Sequence, residues 1–179
     1  MTVIDLRRGP AGPASSDDGE WVIESVCRRG GLTEVHRVGD QLHLRVGDAP
    51  GTADSCTEAW LHTDGRVAVS CPAAPAALMV TAGGSRLVPA VPGRIGDGVL
   101  CDGDLLVMCS AGALDHLPAG IGAVLAWAPR QIGSQEPEVL LDRLMSDSED
   151  GAALLACYRS PASRAATTDR ANRLTEEDR

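Results

Sequence analysis

The sequence predicts an α+β fold, mainly an antiparallel β-sandwich carrying little helix, and three observations predict it. Apolar and polar residues alternate over Gln41 to Val46, where Leu42, Leu44 and Val46 interleave with His43 and Arg45, the signature of a half-buried strand. Short turns of Gly39-Asp40, Asp64-Gly65 and Gly83-Gly84 join neighbouring strand-like segments, and tight turns of this kind make hairpins. Helical periodicity enters only at residues 136–145.

Taken in order, residues 1–20 hold Gly-Pro-Ala-Gly-Pro and Ser-Ser-Asp-Asp-Gly and read as a flexible leader. A domain over 21–159 begins with a strand at Trp21 to Cys27 and turns at Arg28 to Gly31. Strands over 33–38 and 41–46 follow, then a breaker-rich loop at 47–53. The spacing predicts further strands over 57–62 and 66–71, and over 76–81 and 86–91, with a Gly-rich turn after them. Leu105 to Cys109 is an unbroken apolar run between Gly103-Asp104 and Ser110-Ala111-Gly112, so it reads as a central strand buried on both faces. Over 136–145, Val139, Leu140, Arg143 and Leu144 stand at helical spacing, with acids early and Arg late as the helix dipole favours. Ser148 to Gly151 breaks the helix, and Ala152 to Tyr158 is a last buried strand. Residues 160–179 read as a disordered tail.

Composition narrows function by exclusion. The chain has 179 residues, a length typical of one domain, and a formal charge of -9, the wrong sign for nucleic-acid phosphates. No apolar run reaches membrane-spanning length and no signal-peptide core is present, so a cytoplasmic protein without membrane contact is expected. The six cysteines lack CxxC spacing and read as buried free thiols, and the four histidines lack HExxH-type spacing. His36 and His43 alternate with apolar neighbours and should face solvent from strands. Cys109 and Ser110 lie six or seven residues before His116, but no orienting acid stands at a recognisable spacing, so the catalytic residue is unknown from sequence.

Three stretches together resemble a known family. They are RRGGLTEVHRVGDQLHLRVGDAPG (Arg28 to Gly51), TEAWLHTDGRVAVSCPAAPAALMV (Thr57 to Val80), and GDLLVMCSAG followed by a helix and SEDGAALLACYR (Ser148 to Arg159). In order and spacing they resemble the metal-dependent serine/threonine protein phosphatases of the PPM or 2C type, in the small bacterial branch related to SpoIIE. The resemblance implies a PPM-type sandwich and a pair of Mn or Mg ions held by carboxylates from separate strand ends, which activate water against phosphorus.

The departures from that family carry the functional reading. By the resemblance the ligand positions fall at Leu32, Asp48, Ala111 and Asp150, and only Asp48 and Asp150 can ligate a hard cation. Leu32 and Ala111 would be vestigial. Only about eight residues, Pro50 to Thr57, stand where the family has two long helices, which implies a sheet face stripped of cover, either apolar or polar and solvated. The expectation is a pseudophosphatase: no tightly bound cofactor, weak Mn or Mg binding at Asp48 and Asp150, and a protein partner. That partner would be a phosphorylated regulator of a sigma-factor type switch, or a second copy in a homodimer, anchored at Trp60. Two alternatives stand beside it. One is an active phosphatase with a rearranged site drawing on Asp54 or Asp147; the other is an unrelated sandwich serving as a binding module.

Overall fold

The computed structural model describes residues 3–4, 14–17, 21–48, 55–91, 93–117, 121–127 and 137–160. Their order is β1 (Val3–Ile4), β2 (Ala14–Asp17), β3 (Trp21–Cys27), β4 (Arg29–Val38), β5 (Gln41–Asp48), β6 (Cys56–His62) and β7 (Arg66–Ser70). Then come β8 (Ala77–Thr81), β9 (Gly84–Val88), β10 (Ile95–Val99), β11 (Leu105–Cys109), α1 (Ala111–Leu114), α2 (Ile121–Trp127), α3 (Pro137–Met145) and β12 (Asp150–Tyr158).

The strands form two stacked layers. One runs β1-β4-β5-β6-β7-β10 and the other β9-β8-β11-β12-β3-β2, every neighbour antiparallel within its layer. β12 links them: its first two residues, Asp150 and Gly151, also pair in parallel with Arg29 and Gly30 of β4. The sheet is thus mixed at this one crossing and antiparallel elsewhere. β11 lies between β12 and β8, inside its layer as its apolar run demands.

The period-two patterns place the core. Val35, Leu42, Leu44, Val46, Ala59, Leu61, Val67 and Val69 of the first layer meet Ile23, Met79, Leu106, Met108, Leu154 and Ala156 of the second. The other face of the second layer, through Leu78, Val80, Leu105, Val107 and Leu155, packs on Val124 of α2 and Leu140, Leu141 and Leu144 of α3. β11, and β12 from Ala152 to Cys157, are apolar at every position because both of their faces are covered. Trp21 and Tyr158 close one end, their rings 5.0 Å apart. Trp21 Nε1 donates to the His62 carbonyl and the Tyr158 hydroxyl to that of Thr63, which pins the β6–β7 turn.

Several expectations need correction. β4 begins at Arg29, so Gly30 and Gly31 belong to a strand and not to a turn. The expected Gly-rich turn after 91 contains β10, an edge strand. Gly96 and Gly98 face inward there: a methyl on Gly96 would strike Pro89 and Val88, and one on Gly98 would strike Met79 and Arg86. Glycine in β10 serves close packing, so its strand character is silent in a propensity reading. The strand expected at 86–91 runs Gly84–Val88, and α1 and α2 stand where no helix was foreseen. Within the expected leader, Val3–Ile4 pairs with β4 and Ala14–Asp17 with β3; the remainder of the leader and residues 161–179 of the tail lie outside the described residues.

Leu106 is fully buried between the layers. Leu106→Ala should lower unfolding free energy by about 2–5 kcal/mol, read as a reduced urea midpoint at unchanged slope.

Candidate functional site

The ends of β5, β11 and β12 and the start of β4 converge around α1, and glycines make that convergence possible. A methyl on Gly31 would run into the Gly151 carbonyl. Gly151 has φ +89°, a conformation suited to glycine, and a side chain there would strike the Ala113 amide and Ser110 Oγ. Backbone therefore lies directly on backbone, and three short-range hydrogen bonds tie it: Arg28 N–H to the Gly151 carbonyl at 2.8 Å, Ser110 N–H to the Ala152 carbonyl at 2.8 Å, and Gly31 N–H to the Arg28 carbonyl at 3.0 Å.

Ser110 caps α1. Its buried Oγ accepts from Ala113 N–H at 3.3 Å and from Ala152 N–H at 3.0 Å, so one hydroxyl satisfies a helix amide and a strand amide together. That geometry makes it a structural cap and not a nucleophile. Cys109 beside it is fully enclosed, and burial pushes its thiol up to about 12, far from thiolate chemistry. His116 does not turn toward either; its Nε2 lies 3.2 Å from the Leu144 carbonyl at the end of α3. The sequence-adjacent Cys, Ser and His form no catalytic pair.

Asp48, at the last position of β5, reaches into this convergence. Its Oδ2 accepts from the Gly112 N–H at 3.1 Å, and a Cβ on Gly112 would stand 3.0 Å from Oδ1. One carboxylate oxygen thus serves the first turn of α1. Asp150 opens β12, but its exposed carboxylate turns to Arg29, whose Nε donates to Oδ1 at 2.9 Å. Hydrogen bonding and charge from Arg29 hold the Asp150 carboxyl below its ordinary range. Ala111 is the first, exposed residue of α1 and carries no donor atom.

Leu32 requires a correction. It stands opposite Gly47 in the β4–β5 ladder, whereas Asp48 stands opposite Gly31. Consecutive residues project to opposite faces, so Leu32 shares the outer face with Glu34 and His36 and does not lie beside Asp48. Of the four positions, Asp48, Ala111 and Asp150 stand around the start of α1, one carboxylate bonded to Gly112, one to Arg29 and the third position a methyl, while Leu32 lies on the far face. Asp147 is an exposed turn residue and Asp54 lies outside the described residues. Among the described residues no group of three His, Cys, Asp or Glu is placed to hold a metal ion. A two-ion carboxylate site does not fit the side chains that stand here.

The outer face of the β1–β10 layer also departs from an apolar reading. Arg45 bridges Glu34 and Glu58 at 2.7 and 3.0 Å, and His43 stacks on Trp60 with ring centroids 4.9 Å apart. The helices α2 and α3 pack on the other layer, so none of the described helices covers this face, which is polar at its centre. Trp60 is only half-buried and is part of that face, not of the core.

Two outcomes follow for the site. Asp48→Ala strips the Gly112 amide of its acceptor and should cost about 1–2 kcal/mol of stability, with Asp48→Asn recovering most of it through its remaining carbonyl oxygen. The Asp150 carboxyl is held below its unfolded value, so its share of stability is present at neutral pH and disappears as acid takes the pH below about 4. Arg29→Gln should flatten that acid limb in a pH series of melting temperatures, slightly, because both groups are exposed.

No family profile and no curated protein matches the chain. Solved structures do. The RsbU and RsbW domains of Rv1364c from Mycobacterium tuberculosis superpose with a TM-score of 0.59 at 19% identity, over 84% of this chain and 62% of that one, so the chain spans less than two thirds of that protein. RsbX, solved with magnesium, gives 0.60 at 10% identity over 82% of this chain and 100% of its own. The phosphatase domain of the cell fate determinant SpoIIE from Bacillus subtilis gives 0.58 at 10% identity over 87% and 96%. At these identities the likeness is one of fold: the chain has the fold of the PPM-type phosphatase domains, of the RsbX and SpoIIE kind, with a reduced set of helices.

Proposed function

We propose that the chain is a non-catalytic regulator built on the PPM phosphatase fold, acting by binding a protein in a bacterial serine-phosphorylation switch. The observation that carries the reading is that Asp48, bonded through Oδ2 to Gly112 N–H, has no second free carboxylate beside it among the described residues, Asp150 being held by Arg29. Hard divalent ions need several oxygen ligands at once, and phosphoryl hydrolysis of this type needs two such ions. The regulatory setting is supported by the company the fold keeps: RsbU and RsbW domains joined in one chain, RsbX, and a cell fate determinant. Those proteins also include a magnesium complex, so Mn or Mg is the ion to test.

The active-enzyme alternative would require Asp150 to exchange Arg29 for a cation, at the cost of a charge-assisted bond, and further oxygen ligands beside Asp48 that the described residues do not supply. The unrelated-sandwich alternative gives way to the fold match.

Titration calorimetry with Mn or Mg at millimolar concentration should show no tight two-site isotherm, and a phosphoserine peptide should not be hydrolysed above background. Ala111→Asp places a carboxylate next to the Asp48 contact and should gain measurable Mn affinity; Leu32→Asp, on the opposite face, should gain none. Stoichiometric binding of two ions by the unaltered protein, with metal-dependent turnover, would overturn the proposal in favour of an enzyme.

A further inference from the structure

We infer that the free edge of β10 takes up an extended, acidic segment of a protein partner by strand addition, with Arg86 as a guard that such a segment displaces. The inference rests on the protein-binding reading above but not on the absence of catalysis.

β10 is the last strand of its layer and pairs with β7 on one side only. Two hydrogen bonds fix which of its backbone groups are left over. Leu100 N–H donates to the Gly65 carbonyl at the head of β7, whereas the Asp97 carbonyl accepts from Arg86 Nη2 at 3.1 Å. Backbone polar groups of alternate residues in a strand point to the same side. Those of Gly96, Gly98 and Leu100 therefore face β7, and those of Ile95, Asp97 and Val99 face outward. A row of outward N–H and C=O groups is a template for one more strand.

The side chains define what kind of strand fits. Ile95 and Val99 are 72% and 60% exposed and stand two residues to either side of Asp97, so they offer apolar contact to alternate residues of an added strand. Arg86 and Arg94 are both exposed, and neither has a carboxylate partner among the described residues, whereas Arg29, Arg45 and Arg66 each hold one. On a chain of formal charge -9 this edge thus carries uncompensated positive charge, and charge complementarity selects an acidic occupant. A second copy is a poor one: antiparallel pairing of β10 with itself about its midpoint sets Asp97 against Asp97 and joins two chains of the same net charge.

Arg86 sharpens the selection. It extends from β9 of the other layer past Gly98, where a Cβ would stand 2.5 Å from its Nη2, to the Asp97 carbonyl. There it covers the middle of the edge and guards against indiscriminate pairing. A carboxylate is a stronger acceptor for a guanidinium than a carbonyl is. A glutamate on the incoming segment draws Arg86 off Asp97 and opens the edge. A neutral or basic segment has to break that bond without replacing it.

Amide NMR of the full chain, titrated with a short capped peptide alternating glutamate and valine, tests this. The Ile95, Asp97 and Val99 amides should shift, with a Kd on the order of 100 μM that weakens as salt is raised. Arg94→Glu, at an exposed position, should weaken binding about tenfold with melting temperature unchanged. Arg86→Ala should remove the guard with the charge, so that preference for the glutamate peptide over a threonine–valine peptide falls to near unity. Methylating the peptide's alternate backbone nitrogens should abolish binding. The inference is overturned by amides that stay fixed up to about 2 mM peptide, by equal binding of a lysine–valine peptide, by indifference to methylation, or by a self-associated edge whose amides shift on dilution alone. Peptide binding and Mn binding are separate properties, so loss of this inference leaves the non-catalytic reading to its own calorimetric test.

Discussion

Much of this structure depends on backbone meeting backbone at Gly31 and Gly151. There β12 leaves one layer and touches the other, and the contact is possible only because neither residue has a side chain. Three consequences follow from that approach. The two layers are joined by a strand that belongs to both. Ser110 is brought within reach of Ala152, so one hydroxyl caps α1 and closes the β11–β12 junction. Asp48 is brought onto the start of α1, where it finds the Gly112 amide. A side chain at either glycine would push these elements apart and open all three contacts together.

The sandwich was legible because its signals are local. Alternation in β5, the tight turns and the apolar run of β11 each follow from which faces are covered, and the structure covers those faces. What escaped was controlled by distant neighbours. β10 carries two glycines because Pro89, Val88, Met79 and Arg86 leave no room for a Cβ, and nothing inside Ile95 to Val99 announces that. α1 is a single turn held by Ser110, too short for any period to show. Asp48 and Asp150 were recognisable as candidate ligands, but their engagement with Gly112 and Arg29 is a tertiary fact. The displacement of Leu32 to the other face turns on a ladder register that spacing alone does not specify.

The two outer faces of the sandwich solve the same problem differently. The β9–β2 layer presents Leu78, Val80, Leu105, Val107 and Leu155 and is covered by α2 and α3. The β1–β10 layer, with no described helix over it, replaces apolar cover by an ion-paired lattice around Arg45 and by the His43–Trp60 stack. The long side chains there shield one another, which explains how Arg45, Glu34 and Glu58 are each only about a quarter exposed on an open sheet. A face reduced in helices need not be apolar, and the expectation of a hydrophobic scar is corrected by this substitution of polar for helical cover.

The same economy is visible where the fold family would place metal. A carboxylate at the end of a strand, close to other backbone, must have its oxygens satisfied by a cation, by water or by N–H groups. In this chain the third solution serves one oxygen of Asp48, since Gly112 presents its amide to Oδ2. Asp150 takes a guanidinium instead. Each retained acid therefore has a partner from the chain itself, while the positions without acids, Leu32 and Ala111, leave no charge behind that needs one. Asp48 thus has a structural role of its own: it ties β5 to α1, and that tie holds the start of the helix against the Gly31–Gly151 crossing.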